Sequence, residues 1–359
     1  MDLAGLLKKN EIKVSVPCRV DLGGTLDIST FYLSFNFLSP SSFNIAIDMR
    51  TYVTLLPFKK GFVKISSMGF KSAEFESHTA PFDHPMGLMF AMADYFNCDG
   101  VHIIIESSSP PRSALGGSSS AAVAIAAAFL FVIDQIKNPG KKNSNSETRI
   151  DAEESAWIAH YVESSVAGVP CGMQDQLAAA FGGVNQWFWK LDKGRPSFEQ
   201  NSLYSEGQDI SLLNNSLLVA YCGIPHVSSQ VNKKWVNQFI CGENRDKFKK
   251  IIHLTDEFVS AMQNKDFNLA GNYMNQETEI RLKMTPQVLD SVGKKLFKKA
   301  RELNTGLRFT GAGGGGCVWA IGDTQKIKDL RSEFNQLLKD EKDAKVLETA
   351  VDSKGIIIY

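Results

Sequence analysis

The sequence has no C-x-x-C pair, no imbalance of charge, no repeat of fixed period and no long unbroken apolar run, and each absence removes a class of function. Cys18, Cys98, Cys171, Cys222, Cys241 and Cys317 stand singly, so free thiols are expected rather than disulfides or a zinc site. Lys plus Arg and Asp plus Glu are both 39, a formal net charge of +0. That balance argues against a nucleic-acid partner, while leaving room for a local basic pocket that takes a small anion. The most apolar run, Ala121 to Ile133, is shorter than the roughly 20 residues a bilayer span needs and reads as a buried helix, with no membrane partner. The first ten residues carry an early acid and no long apolar core. They do not resemble a signal peptide, and a cytoplasmic location is expected.

What is present is an ordinary globular composition, 22% charged and 43% hydrophobic over 359 residues, long enough for two or three domains. β-Branched enrichment or alternation bounded by Gly, Pro or Ser predicts strands at Lys13 to Val20, Tyr52 to Pro57, Gly61 to Ser66 and Val101 to Glu106. Helices are expected at Ser118 to Ile136 and Asp151 to Ser164, separated by a mobile surface loop from Asn138 to Ser146. A polar stretch, Asp192 to Asp209, precedes a strand at Ser216 to Cys222 and marks a lobe boundary. Further helices are expected at Gln230 to Phe239, Asn244 to Ala261, Asn268 to Met284, Gln287 to Asn304 and Thr324 to Leu338, with a strand at Cys317 to Ile321. The mixture predicts a two-lobed α+β enzyme with a ligand cleft between the lobes.

Four segments carry chemistry. Pro110 to Ser120 is a Gly/Ser turn that opens a helix, and the unpaired first N–H groups of a helix bind phosphate well. Such loops are also common helix caps. Gly311 to Gly316, directly before a strand, is too glycine-dense for a simple turn, so backbone must approach something there. It is not the dinucleotide fingerprint, which opens a helix. A strand delivers an arginine and then two acids around the Gly23-Gly24 turn, and of these Arg19 and Asp27 can line a polar pocket, although arginines on strands more often form surface pairs. Glu163 and Asp175 bracket a Gly/Pro loop, an arrangement that can bring one acid to a metal and the other to a reacting hydroxyl.

In this order and at these separations the segments resemble the GHMP kinase superfamily over nearly the whole chain. Arg19 to Asp27 looks like its first motif, Pro110 to Ala122 its second and Gly311 to Gly316 its third. Gly172-Met173-Gln174-Asp175-Gln176 is similar to the sugar-kinase branch, namely the heptose 7-phosphate kinases and, less closely, the galactokinases. The resemblance implies an N-terminal lobe over 1–200 and a C-terminal lobe over 201–359. It implies ATP on Pro111, Leu115, Gly116, Gly117, Ser118, Ser119 and Ser120, and Mg²⁺ on Ser118 and Glu163. Asp175 and Arg19 become the catalytic pair, and Asp27, Gly24, Gly172, Gln174, Gly313 and Gly314 face the sugar. The implied reaction is phosphorylation of an anomeric hydroxyl, with a heptose 7-phosphate as the first acceptor and a hexose such as galactose or fucose as the alternative, by a monomer or homodimer. A distal phosphate would need fixed cations, and Lys233, Lys234, Arg281 and Lys283, with His226 as a donor, are the candidates.

The chain also departs from the family pattern. Arg112 and Ala114 stand where glycine is usual, Gly117 replaces a serine, and Thr25-Leu26 replaces the Glu-His of galactokinases. A positive φ at Ala114 would be strained. Thr25-Leu26 weakens galactose as the substrate; Ala114 and Gly117 favour a rival of another class, a non-catalytic sugar and ATP sensor, whereas the four retained residues Arg19, Ser118, Glu163 and Asp175 favour an enzyme. Isoprenoid and homoserine kinases are disfavoured by the Gln-Asp-Gln loop. Trp187, Trp189 and Trp319 are expected in the core rather than on a ligand.

Overall fold

In the computed structural model, residues 3–8, 11–138, 151–204, 207–226 and 229–359 are described. Nearly all of the expected Asn138 to Ser146 loop lies outside them.

The first half builds one sheet from β1 (Ile12–Leu22), β2 (Ser41–Pro57), β3 (Phe62–Ser67), β4 (Ala73–Glu76), β5 (Val101–Ser107), β6 (Val184–Asp192) and β7 (Arg195–Ser202). The 17-residue β2 is its spine, pairing with β1 along one edge and with β5 and β6 along successive parts of the other. The second half builds a smaller antiparallel sheet from β8 (Leu217–Tyr221), β9 (Gly306–Phe309), β10 (Cys317–Ile321) and β11 (Lys345–Leu347), in the order β11-β8-β10-β9. A short β12 (Ile357–Ile358) then returns to pair with β1 in the first sheet.

Helix Gly117–Lys137 shows how one segment serves both packing and function. Its alanine-rich run has high helix propensity and small side chains, so it lies close against the first sheet, and Ala121 to Phe129 are at most 3% exposed. At 21 residues it is longer than the apolar run suggested, and by length and composition alone it is long and apolar enough to cross a bilayer. Its burial identifies it as a core helix. A second apolar core joins the two sheets through Val20, Phe43, Val219, Phe258 and Trp319, and a third lies beneath the helices of the second half. All three named tryptophans are buried, as expected.

Two expectations are corrected. The polar stretch after Asp192 is not a loop throughout: β6 and β7 form a hairpin whose turn residues, Lys193 and Gly194, both have positive φ, as a tight two-residue hairpin requires. Nor is Gln287 to Asn304 one helix. A 3₁₀ turn at Pro286–Val288 comes first, and helix Ser291–Glu302 starts afresh at Asp290, whose carboxylate accepts from the Gly293 N–H at 2.6 Å.

Candidate active site

β1 delivers the first functional side chain through an irregularity. Its register against β2 shifts between Pro17 and Cys18, where proline has no N–H to give the ladder. Beyond the shift, Arg19 lies 4% exposed, and its backbone N–H donates to Leu115 O at 3.1 Å. The Arg19 guanidinium grips Asp175 with two parallel bonds, Nε to Oδ1 and Nη2 to Oδ2, both 2.7 Å, and Nη1 donates to Ala114 O at 2.7 Å. Burial works against the Arg19 charge, but Asp175 and Asp21 outweigh it and raise its proton affinity. Asp175 stands in the first turn of helix Gln174–Phe181 and is the open member of the pair, facing a cleft of about 520 Å³.

Glu163 lies on the same cleft wall. Its Oε2 accepts from Ser119 Oγ at 2.8 Å and Gln176 Nε2 at 2.6 Å, and its Oε1 from Ser118 Oγ at 3.4 Å. Burial pushes its carboxyl up to about 7, and Asp175 adds to the rise against the Ser119 bond. The donor set is all hard oxygen from one acid and two hydroxyls. Among the described residues no group of three or more His, Cys, Asp or Glu could hold a metal alone. A divalent cation here would therefore need phosphate oxygens to complete its shell, which is the usual habit of Mg²⁺. Beside this cluster the helix Gly117–Lys137 opens at Gly116, whose φ of +80° suits glycine, and Gly116, Gly117, Ser118 and Ser119 all line the cleft.

At the other end of the cleft, Asp27 is 7% exposed and accepts from the Gln174 N–H at 3.0 Å. Burial pushes its carboxyl up to about 7, against the pull of that bond. A Cβ on Gly172 would run into the Asp27 carboxylate, so only glycine lets the two strands of chain approach. Gln174 Oε1, His226 Nδ1 and Asn232 Oδ1 belong to residues that line the cleft and are buried without a hydrogen-bond partner among the described residues. Buried polar atoms are normally satisfied, so these three are open to hydrogen-bonding groups of a ligand.

Behind the cleft lies a feature that the sequence did not reveal. From Asp175 and Arg19 the charges alternate through Asp21 (3.6 Å from Arg19), Arg308 (3.1 Å from Asp21), Glu277 (2.9 Å from Arg308) and Arg281 (2.8 Å from Glu277). Asp21, Glu277, Arg281 and Arg308 are fully buried. Burial opposes the charge of Glu277, but Arg308 and Arg281 outweigh it and pull its carboxyl down. Arg281 then donates to Gly24 O and Thr25 Oγ1, and Asp21 accepts from the Gly311 N–H at 2.6 Å. The chain of charges thus fixes the first and third glycine motifs against the Arg19–Asp175 pair.

Several expected residues lie elsewhere. Gly24 faces Asp21 and Arg281 rather than the cleft, and Gly313 and Gly314 pack on the Val288 backbone. Leu115 is fully buried and Ser120 donates to Pro17 O, so neither reaches the cleft wall, whereas Pro111 does. Lys233, Lys234 and Lys283 are exposed and off the wall, and Arg281 is committed to the buried charges. Of the proposed distal donors, only His226 lines the cleft. Among the described lining residues the only lysines or arginines are Arg19 and Arg112.

A galactokinase of Clostridium perfringens is 26% identical over 230 residues, 53% of this chain and 57% of that protein, so the chain spans just over half the length of that relative. A mevalonate kinase of Thermococcus onnurineus is 26% identical over 313 residues, 77% of this chain and 81% of its own. The crystal structure of a D-glycero-D-manno-heptose 1-phosphate kinase from Bacteroides thetaiotaomicron has the same fold, with a TM-score of 0.71, 17% identity, and 97% and 98% of the two chains covered. Residues 84–183 match the GHMP kinases N terminal domain and residues 258–340 the GHMP kinases C terminal domain; the chain belongs to the GHMP kinases.

Proposed function

We propose that this chain is an ATP-dependent sugar kinase that phosphorylates the anomeric hydroxyl of its acceptor. The observation that carries the reading is the Arg19–Asp175 pair, open to the cleft beside the amino end of helix Gly117–Lys137. The γ-phosphoryl group lies at the helix end on Gly116 to Ser119, and the acceptor lies between Asp27, Gln174 and Asp175. Asp175 accepts the hydroxyl proton or orients it, and an anomeric hydroxyl is acidic enough for a weak carboxylate base. Ser118 and Glu163 hold Mg²⁺ together with the nucleotide, and the ion supplies neutralisation of the phosphate charge. The two lobes divide after β7, near residue 202 rather than 200, and β12 returns from the second half to the first lobe. The dependence on ATP assigns the work to the cytoplasm.

The galactokinase relative and the Gln174-Asp175-Gln176 loop support a sugar over mevalonate. One observation weighs against a heptose 7-phosphate and for an unphosphorylated sugar: the cations expected to hold a distal phosphate, Lys233, Lys234, Arg281 and Lys283, all lie off the cleft wall. ATP consumption with Mg²⁺ is the test, against galactose, fucose, mannose and D-glycero-D-manno-heptose 7-phosphate. Turnover of a free hexose is expected. Turnover of the heptose phosphate alone would restore the distal phosphate, and sugar binding with no ATP consumed would make the chain a sensor.

The raised Asp27 carboxyl gives this site a pH signature. Its charged form accepts hydroxyl hydrogen bonds, so acceptor affinity is expected to rise as pH passes from 6 through about 7. Asp27→Asn should flatten that profile in a calorimetric titration, and an unchanged profile would remove Asp27 from the acceptor. For the unliganded protein the sign is opposite. The folded state holds the proton more tightly than the unfolded chain, so this stability is present below about 4 and is lost as pH rises through about 7.

A further inference from the structure

We propose that Arg112 is a further catalytic residue, a cation that binds the γ-phosphoryl oxygens during transfer; the assignment rests on the kinase reading above. Arg112 lies on the cleft wall in the segment that leads to Gly116, and its carbonyl accepts from the His226 N–H at 2.8 Å, which holds the segment against the second lobe. Its φ is +55°, and Ala114 two residues on has φ +61°. Glycine enters this left-handed region freely, whereas a residue with a Cβ is strained in it. An arginine retained in that conformation is disfavoured by its own backbone, so its presence asks for a role that glycine cannot fill.

The charge pattern supplies the role. Arg19 is spent: Nε and Nη2 go to Asp175 and Nη1 to Ala114 O, with Asp21 beside it. The cleft also contains the acids Asp27, Glu163 and Asp175. Arg112 is exposed, and no carboxylate among the described residues pairs with it, so its guanidinium is the one lining cation free to meet a phosphate. In the transfer, the acceptor oxygen forms its bond to the γ-phosphorus as the bond to the β,γ-bridging oxygen breaks. The electron pair of that bond leaves with ADP, and the hydroxyl proton goes to Asp175. Charge spreads over the three equatorial oxygens, where a planar guanidinium can donate two hydrogen bonds.

The backbone strain makes the test decisive, because R112G removes the cation and relieves the strain together. The expected result is a fall in kcat of about a hundredfold, a weaker Kd for ATP with Mg²⁺, and an unchanged or raised Tm. R112K, which keeps the charge but not the fork, should recover part of the rate. Wild-type kcat and Kd in R112G would overturn the proposal. So would a loss confined to KM for a phosphorylated acceptor, which would make Arg112 the acceptor's anchor, or a lowered Tm with every activity lost together, which would make it structural. If the wild-type chain turns over no sugar, the kinase reading fails. The Kd for ATP then decides Arg112 alone, and an unchanged value in R112G would reject it.

Discussion

Asp175→Asn is expected to lower kcat by about 10²- to 10⁴-fold while ATP affinity stays close to that of the wild type. The substitution keeps the shape and removes the charge that faces the acceptor. Arg19 retains Asp21 and the Ala114 carbonyl, so the loop proposed to hold the nucleotide is not released. Single-turnover rates, with an independent titration of ATP, separate the two effects. A variant that turns over at the wild-type rate would take Asp175 out of the chemistry. One that lost ATP binding to the same degree as rate would make it a support for the loop rather than a partner of the hydroxyl.

The second large effect is expected well away from any ligand. Arg308 holds Asp21 on one side and Glu277 on the other, all fully buried, and Arg308→Met leaves both acids without it. Stranding buried charge in this way costs about 3–5 kcal/mol. The unfolding midpoint in urea should drop accordingly. A double variant, Arg308→Met with Asp21→Asn, should recover part of the loss, since Glu277 keeps Arg281, Arg19 keeps Asp175 and no acid is left without a partner. A loss in the single variant below about 1 kcal/mol would mean that solvent or a rearranged neighbour already satisfies these acids. Activity should fall with stability in the single variant, because Asp21 also fixes the Gly311 amide beside Arg19.

The groups around the cleft were largely legible because each announces itself over a few residues. Gly116 to Ser119 before an alanine run, Asp175 in the Gln-Asp-Gln loop and Arg19 before Gly23-Gly24 all come together in the fold. The chain of buried charges was not legible. Glu277 and Arg281 stand four apart on a helix, the spacing of an ordinary surface pair, and Arg281 was expected to face a phosphate. The available signal was Arg308, an arginine between Leu307 and Phe309 on a strand that runs into the core. Partners 31 and 287 positions away from it become visible only when the chain is folded. The β6–β7 hairpin was missed for a different reason: its outer strand is mostly exposed and polar, so no apolar alternation marks it. The break before Ser291 had its signals in Pro286 and Asp290, but the apolar spacing across them reads as one helix.

The last strand of the fold has a consequence for how the molecule is made. β12 lies against β1, and Arg50 of β2 fastens the segment before it through Asp352 and the carbonyls of Lys354 and Gly355. While a ribosome is still producing the second half, β1 can find β2 but has no neighbour on its outer edge. An open edge of apolar strand is where nascent chains pair wrongly with one another. The first sheet is therefore completed only when Ile357 and Ile358 reach Ser15 and Val14, after all its other strands and the whole second sheet have been made.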